Sequence, residues 1–318
     1  MKRLVLTLLL AVLAVFTFGC AGKEKVTVRV GSLKGPTTMG LVNLMNASEE
    51  GDTGLQYVFT MAADPSEITA KVVSGDLDIA LIPANAASVL YNKTNGEVSV
   101  IAVNTLGVLD CVTGDEGVKS FKDLDGKTIL STGQGATPEY AINYLKEAYG
   151  TTDLKVQYLS EATEVAARLA EDPTLTAILP EPFATAVTLK NENLSIAFSL
   201  TDEWNGTGAD SKLITGVTIV RNEFLRNNKA AVDEFLEDAN RSVEEAGEDV
   251  SGTASLIVKY GILENEKPAE LALPRCNIVC ITGDEMKGSL SGYLQTLYDA
   301  AAESVGGKLP GDDFYYIP

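Results

Sequence analysis

Between residues 26 and 103 the chain alternates short apolar strands with helical stretches, and from residue 108 the alternation starts again. Strands read over 26–30, 57–61, 79–82 and 98–103, with helices over 39–46, 64–73 and 86–91 between them. The second run places strands at 108–113, 128–130, 156–159 and 176–179, with helices at 138–149 and 161–170. A helix between consecutive strands is long enough to return the chain to the same edge of a sheet, so the strands run parallel and helices cover both faces. Two such units predict an α/β fold of two Rossmann-like lobes, with ligand loops beyond the carboxyl ends of the strands. After Trp204 a strand over 214–220 crosses back toward the first unit. Helices over 222–245 and 253–260, a strand over 276–281 and a helix over 283–301 follow. The closing Asp313-Phe314-Tyr315-Tyr316 reads as a docked aromatic end.

The first 19 residues stand outside this pattern. Lys2 and Arg3 precede an uncharged apolar run from Leu4 to Phe18. Its roughly 15 residues suit a signal-peptide core and fall short of the ~20 that span a bilayer. The run ends in Thr17-Phe18-Gly19-Cys20, which resembles a bacterial lipobox with Thr17 in place of the usual Leu. That resemblance implies cleavage of residues 1–19, lipidation of Cys20, and residues 20–25 as anchor and linker. An ordinary signal peptide with an incidental cysteine is the competing reading. Acyl chains add about 0.8 kcal/mol per buried CH₂, so several hold a folded domain at a membrane.

Composition removes whole classes of chemistry. The 318 residues carry a formal charge of −19, and loss of the two leader cations makes it more negative still. A polyanion such as nucleic acid would be repelled. Histidine is absent, which excludes the usual general base near neutral pH and zinc sites that need an imidazole. No catalytic residue and no metal site is expected. Cys111, Cys276 and Cys280 remain beyond Cys20. Four residues along a strand span about 13 Å, too far for the roughly 7 Å that a Cys276–Cys280 bridge allows. Either one paired with Cys111, or three buried thiols, stays open.

Several segments in this order resemble a known family. They are the lipobox, the first strand with its Gly/Pro loop, Gly75-Asp76-Leu77-Asp78-Ile79-Ala80, Phe121-Lys122-Asp123-Leu124-Asp125-Gly126-Lys127 and Ile178-Leu179-Pro180-Glu181-Pro182-Phe183. Together they look like the nitrate/sulfonate/taurine-type solute-binding proteins of ABC importers. That superfamily also holds binding proteins for thiamine and riboflavin precursors. The resemblance implies a periplasmic-binding-protein type II-like fold, with lobe 1 over 26–104 and 220–318 and lobe 2 over 105–219. Two hinge strands would join the lobes, with the ligand cleft between them. It places the ligand-facing loops at Leu33, Lys34, Thr37 and Thr38; at Pro83 and Asn85; at Gln134, Gly135, Ala136 and Thr137; and at Glu181.

The residue chemistry is compatible with that placement but does not select a ligand. Thr37, Thr38 and the Gly135–Thr137 stretch sit at predicted helix starts, where free N–H groups favour anions. Simple N-capping by threonine is the better account of either loop alone, whereas two such loops on opposite lobes at strand ends favour a site. Lys34 suits a carboxylate or sulfonate, or is a surface lysine. Glu181 between two prolines suits an amine, or caps a helix. Trp204, the only tryptophan, covers a ring in the cleft or packs the lobes together. Arg275 reads as structural. The bulk negative charge opposes steering of anions, so the ligand class stays open.

The function implied is an extracytoplasmic substrate-binding lipoprotein, monomeric and without cofactor. It would capture a small molecule by hinge closure and deliver it to an ABC permease and ATPase at the outer face of the cell membrane. The competing readings are an enzyme on the same two-lobe fold, as in some menaquinone-pathway and pyrimidine-synthesis enzymes, and a surface sensory lipoprotein.

Overall fold

The computed structural model describes residues 25–208 and 211–318. The expected signal segment 1–19, the expected lipidation site Cys20 and most of the expected linker lie outside the described residues.

The strands form two separate sheets. The first contains β1 (Thr27–Leu33), β2 (Gln56–Ala62), β3 (Ile79–Pro83), β4 (Val98–Leu106), β10 (Ile214–Arg221) and β11 (Ile278–Ile281), in the spatial order β11-β4-β10-β3-β1-β2. The second contains β5 (Leu109–Thr113), β6 (Thr128–Ser131), β7 (Lys155–Tyr158), β8 (Thr176–Pro180) and β9 (Ser195–Ser199), in the order β7-β6-β8-β5-β9. β1 pairs parallel with β2 and β3, and β6 with β7 and β8. β10 runs antiparallel between β3 and β4, and β5 runs antiparallel between β8 and β9. The architecture is the expected pair of α/β lobes. β10 enters the first sheet at Ile214, ahead of residue 220, where the sequence reading resumed the first lobe.

The Gly75–Asp78 segment shows how local sequence builds the first lobe. Asp64 caps the helix Pro65–Ser74 by accepting from Ser66 N at 2.7 Å, and Pro65 occupies the first turn, where no N–H is needed. Ile68 and Val72 face the core, and Gly75 ends the helix at φ 81°, a conformation that costs glycine nothing. The chain then turns Leu77 inward and carries Asp78, 2% exposed, under the sheet. The Asp78 carboxylate accepts from Arg29 N at 3.0 Å, Arg29 Nε at 2.8 Å and Arg221 Nη2 at 3.3 Å. It ties β1 to β10 across β3. Its role is structural.

The Phe121–Lys127 segment is equally local. Ser120 and Asp123 form a capping box around the turn Phe121–Leu124, both apolar residues are fully buried, and Lys127 pairs with Asp115 at 2.8 Å.

Sequence expectations failed where periodicity was weak. The single helix read over 222–245 is two helices, Asn222–Asn227 and Lys229–Glu248. The break falls at Asn228, whose side-chain amide donates to Phe224 O at 3.2 Å and competes with helix continuation. The helices Phe183–Lys190, Leu200–Gly206 and Glu266–Ala272 and strand β9 carried no clear signal. The first of these is short and rich in β-branched residues, which lowers helix propensity. The aromatic end is docked: Phe314 is fully buried, Tyr316 N donates to Val100 O at 2.9 Å, and its hydroxyl donates to Asp233 at 2.6 Å.

Candidate functional site

The ends of β1 and β3 define one side of the site. After Leu33 the chain passes through exposed Lys34 and buried Gly35, the latter at φ 136°, into the four-residue helix Pro36–Met39. Thr37 Oγ1 donates to Leu33 O at 2.8 Å, and Thr38 Oγ1 lies 2.6 Å from the same carbonyl and 2.7 Å from Ser32 Oγ. Both hydroxyls therefore brace their own loop, and a single turn of helix adds little dipole. Pro83 pairs with Gly216 of β10. A Cβ on Gly216 would lie 2.5 Å from Asn104 Oδ1 and 3.1 Å from Thr37 Cγ2, so glycine is what lets Thr37, Pro83 and Asn104 converge. Asn85, in the first turn of the helix Ala84–Thr94, is 6% exposed; its Nδ2 lies 3.5 Å from Ser304 O and its Oδ1 has no partner among the described residues.

The end of β6 carries the loop expected on the other side. Gly133 and Gly135 both adopt φ 74° in the loop before the helix Thr137–Tyr149. Gln134 and Gly135 are exposed, and Ala136 is half-buried. Gly135 N donates to Glu139 Oε2 at 2.6 Å. The helix start thus already holds a carboxylate of its own, which removes the electrostatic reason for a bound anion there. Thr137 is 2% exposed, and among the described residues its Oγ1 has no partner at hydrogen-bond distance. The fully buried Tyr293 hydroxyl, from the helix Gly283–Ala300, is the group it interacts with at longer range.

Glu181 and Trp204 sit elsewhere. Glu181 is fully buried after β8; Thr185 N and Oγ1 donate to it at 3.1 and 2.8 Å, and Arg275 Nε donates at 2.7 Å. Arg275 also pairs with Asp110 on β5 at 3.0 Å. Burial, reinforced by the neighbouring Glu181 carboxylate, pushes Asp110 up to about 6 in spite of the guanidinium. Trp204 is fully buried, with Nε1 donating to Ser211 O at 2.9 Å and its ring 4.1 Å from Tyr144 and 5.9 Å from Tyr293. Its ring faces are taken up by lobe packing.

No nucleophile emerges from the thiols. Cys111, Cys276 and Cys280 are free, and burial pushes all three upward, Cys280 to about 11, so they stay protonated near neutral pH. No cluster of metal-ligating side chains occurs among the described residues, and no described helix is long and apolar enough to cross a membrane. A small apolar space of about 20 Å³ lies inside the first lobe beside Thr37, Asn104, Phe235 and Ile278. It has room for a water but not for a substrate.

The structure thus groups Thr37 and Pro83 around Gly216, sets Thr137 beside Tyr293, and directs Glu181 to Arg275. Sequence reasoning passed over Asp110 and Asn104 as site neighbours, and read Arg275 as structural. A charged residue inside the apolar strand 108–113 was the available signal for Asp110.

The model of the "NMT1/THI5 like" family matches residues 48–249. No curated protein matches the chain. Among solved structures, an ABC transporter protein from Parabacteroides distasonis superposes with TM-score 0.77 at 19% identity, covering 92% of this chain and 99% of that one. The periplasmic aliphatic sulphonate-binding protein of Escherichia coli gives TM-score 0.74 at 13% identity, with 93% of each chain covered. The periplasmic nitrate-binding protein of Synechocystis gives 0.57 at 13% identity, over 77% of this chain and 69% of that one.

Proposed function

The chain belongs to the NMT1/THI5-like family, and from that premise we propose that it is the substrate-binding component of an ABC importer, capturing a small polar molecule between its lobes without catalysis. The observation that carries this reading is incomplete hydrogen bonding of buried oxygens at strand ends in both lobes: among the described residues Asn85 Oδ1 in the first has no partner, and Thr137 Oγ1 in the second has only the nearby Tyr293 hydroxyl, beyond hydrogen-bond distance. Leaving such groups dry and unbonded costs about 1–3 kcal/mol each, a cost that a ligand bearing hydrogen-bond donors would remove. Leu33, Lys34, Pro83 and Gln134 line the approach in this reading. Thr37, Thr38, Gly135 and Ala136 shape its loops, and Glu181 and Trp204 support it from behind.

The test is direct. Small molecules released by denaturing the purified protein are identified by mass spectrometry and returned to ligand-free protein, beside a library of sulfonates, nitrate, carboxylates and amines. A bound ligand at 100 times its Kd stabilises the fold by about 2.7 kcal/mol. Thr137→Val and Asn85→Ala are expected to weaken that response at least tenfold. Absence of any released ligand together with no stabilisation across the library counts against capture.

We also propose that Cys20 carries the lipid that holds the protein at the outer face of the membrane, within reach of its permease. Fractionation of cells making the full chain should find it with membranes. Cys20→Ala should appear in the soluble extracytoplasmic fraction, and equal membrane association of both forms would refute the anchor.

A further inference from the structure

We propose that residues 275–277 form a non-covalent brace at the hinge, in which Arg275 is the positioning residue that sets the angle between the lobes. The proposal rests on the hinge-closure reading above. The covalent crossing from β4 to β5 is only Gly107 and Val108. Leu106 N donates to Asn277 O at 3.1 Å, and Asn277 Nδ2 donates to Gly107 O, so the segment grips the crossing itself. Asn277 holds φ 44°, a left-handed conformation that asparagine tolerates better than most residues.

From this anchored position Arg275, which precedes β11 of the first sheet, reaches two carboxylates of the second lobe. Asp110 is 3% exposed and Glu181 fully buried. Glu181 N donates to Val108 O at 2.8 Å, which ties the acid to the same crossing. A Cβ on Gly107 would meet Thr201 Oγ1 at 2.1 Å and Leu213 Cδ2 at 2.9 Å, so the crossing is held tightly on its other side as well. Any rotation that withdraws Arg275 leaves two buried carboxylates without the only cation that pairs with them among the described residues, and a buried ion stripped of its partner is strongly unfavourable. The brace therefore favours the lobe arrangement seen here and resists the opening motion.

Small-angle scattering of the ligand-free protein tests this, with Arg275→Met and Arg275→Lys compared with wild type. A compact chain of this length has a radius of gyration of roughly 19 Å. Arg275→Met is expected to increase it, with faster amide exchange in peptides spanning 106–112 and 178–185, and Arg275→Lys to restore most of both. A scattering curve that superimposes on wild type, with only the melting temperature lowered, overturns the proposal. Should Arg275→Met fail to fold, Asp110→Asn combined with Glu181→Gln removes the charge pairing and leaves unpaired only the Arg275 guanidinium, which at 41% exposure reaches solvent. The same widening is expected, and an unchanged curve again overturns the proposal. Because no ligand is added, failure of the capture reading leaves this measurement intact.

Discussion

Asp78→Ala is expected to lower the unfolding free energy by about 3 kcal/mol, read as a lower urea midpoint by circular dichroism at unchanged slope. The buried carboxylate serves Arg29 and Arg221 together, and also the Arg29 backbone N–H. Breaking a buried pair from one side costs about 3–5 kcal/mol. Arg29 is 38% exposed and Arg221 18%, so solvent recovers part of the cation energy and places the effect at the lower end. The lost acceptor for a buried backbone donor adds to it. A change below 1 kcal/mol would show that Asp78 does not hold β1, β3 and β10 in register.

Trp204→Ala should be at least as damaging, by about 3–5 kcal/mol, the usual range for deleting a fully buried large aromatic. Trp204 lies between Tyr144, on the second-lobe helix Thr137–Tyr149, and Tyr293, on the helix Gly283–Ala300. Its removal leaves a cavity where the lobes share one apolar core, and Ser211 O loses its donor. Thermal unfolding followed in the far ultraviolet measures the loss. A melting temperature within a degree or two of wild type would place Trp204 outside the core that joins the lobes.

Much of the fold was legible because its elements are locally specified. Asp64-Pro65 at a helix start, Gly75 at its end and the capping box from Ser120 to Asp123 act within a few residues, so the two α/β runs could be read in order. The helices Phe183–Lys190 and Leu200–Gly206 were not legible. They are short, and their stability comes from burial of Ala184, Val187, Leu200 and Trp204 against partners far along the chain. The loops at Leu33–Thr38 and Ser131–Thr137 were placed correctly at strand ends. What their polar groups do was not: Thr37 and Thr38 turn to Leu33 O, and Glu139 fills the helix start that suggested an anion.

The sequence by itself determined the fold class of the protein, alternating strands and helices in two runs, and the absence of imidazole chemistry. Those properties follow from periodicity, composition and short-range chemistry, which need no knowledge of the partner segments. Only the tertiary structure decided which side chains share a site. Arg275 lies 94 positions from Glu181, and Thr137 and Tyr293 come together from separate lobes. Such pairs form because distant segments pack around a common core, and no local pattern encodes which buried group will face which.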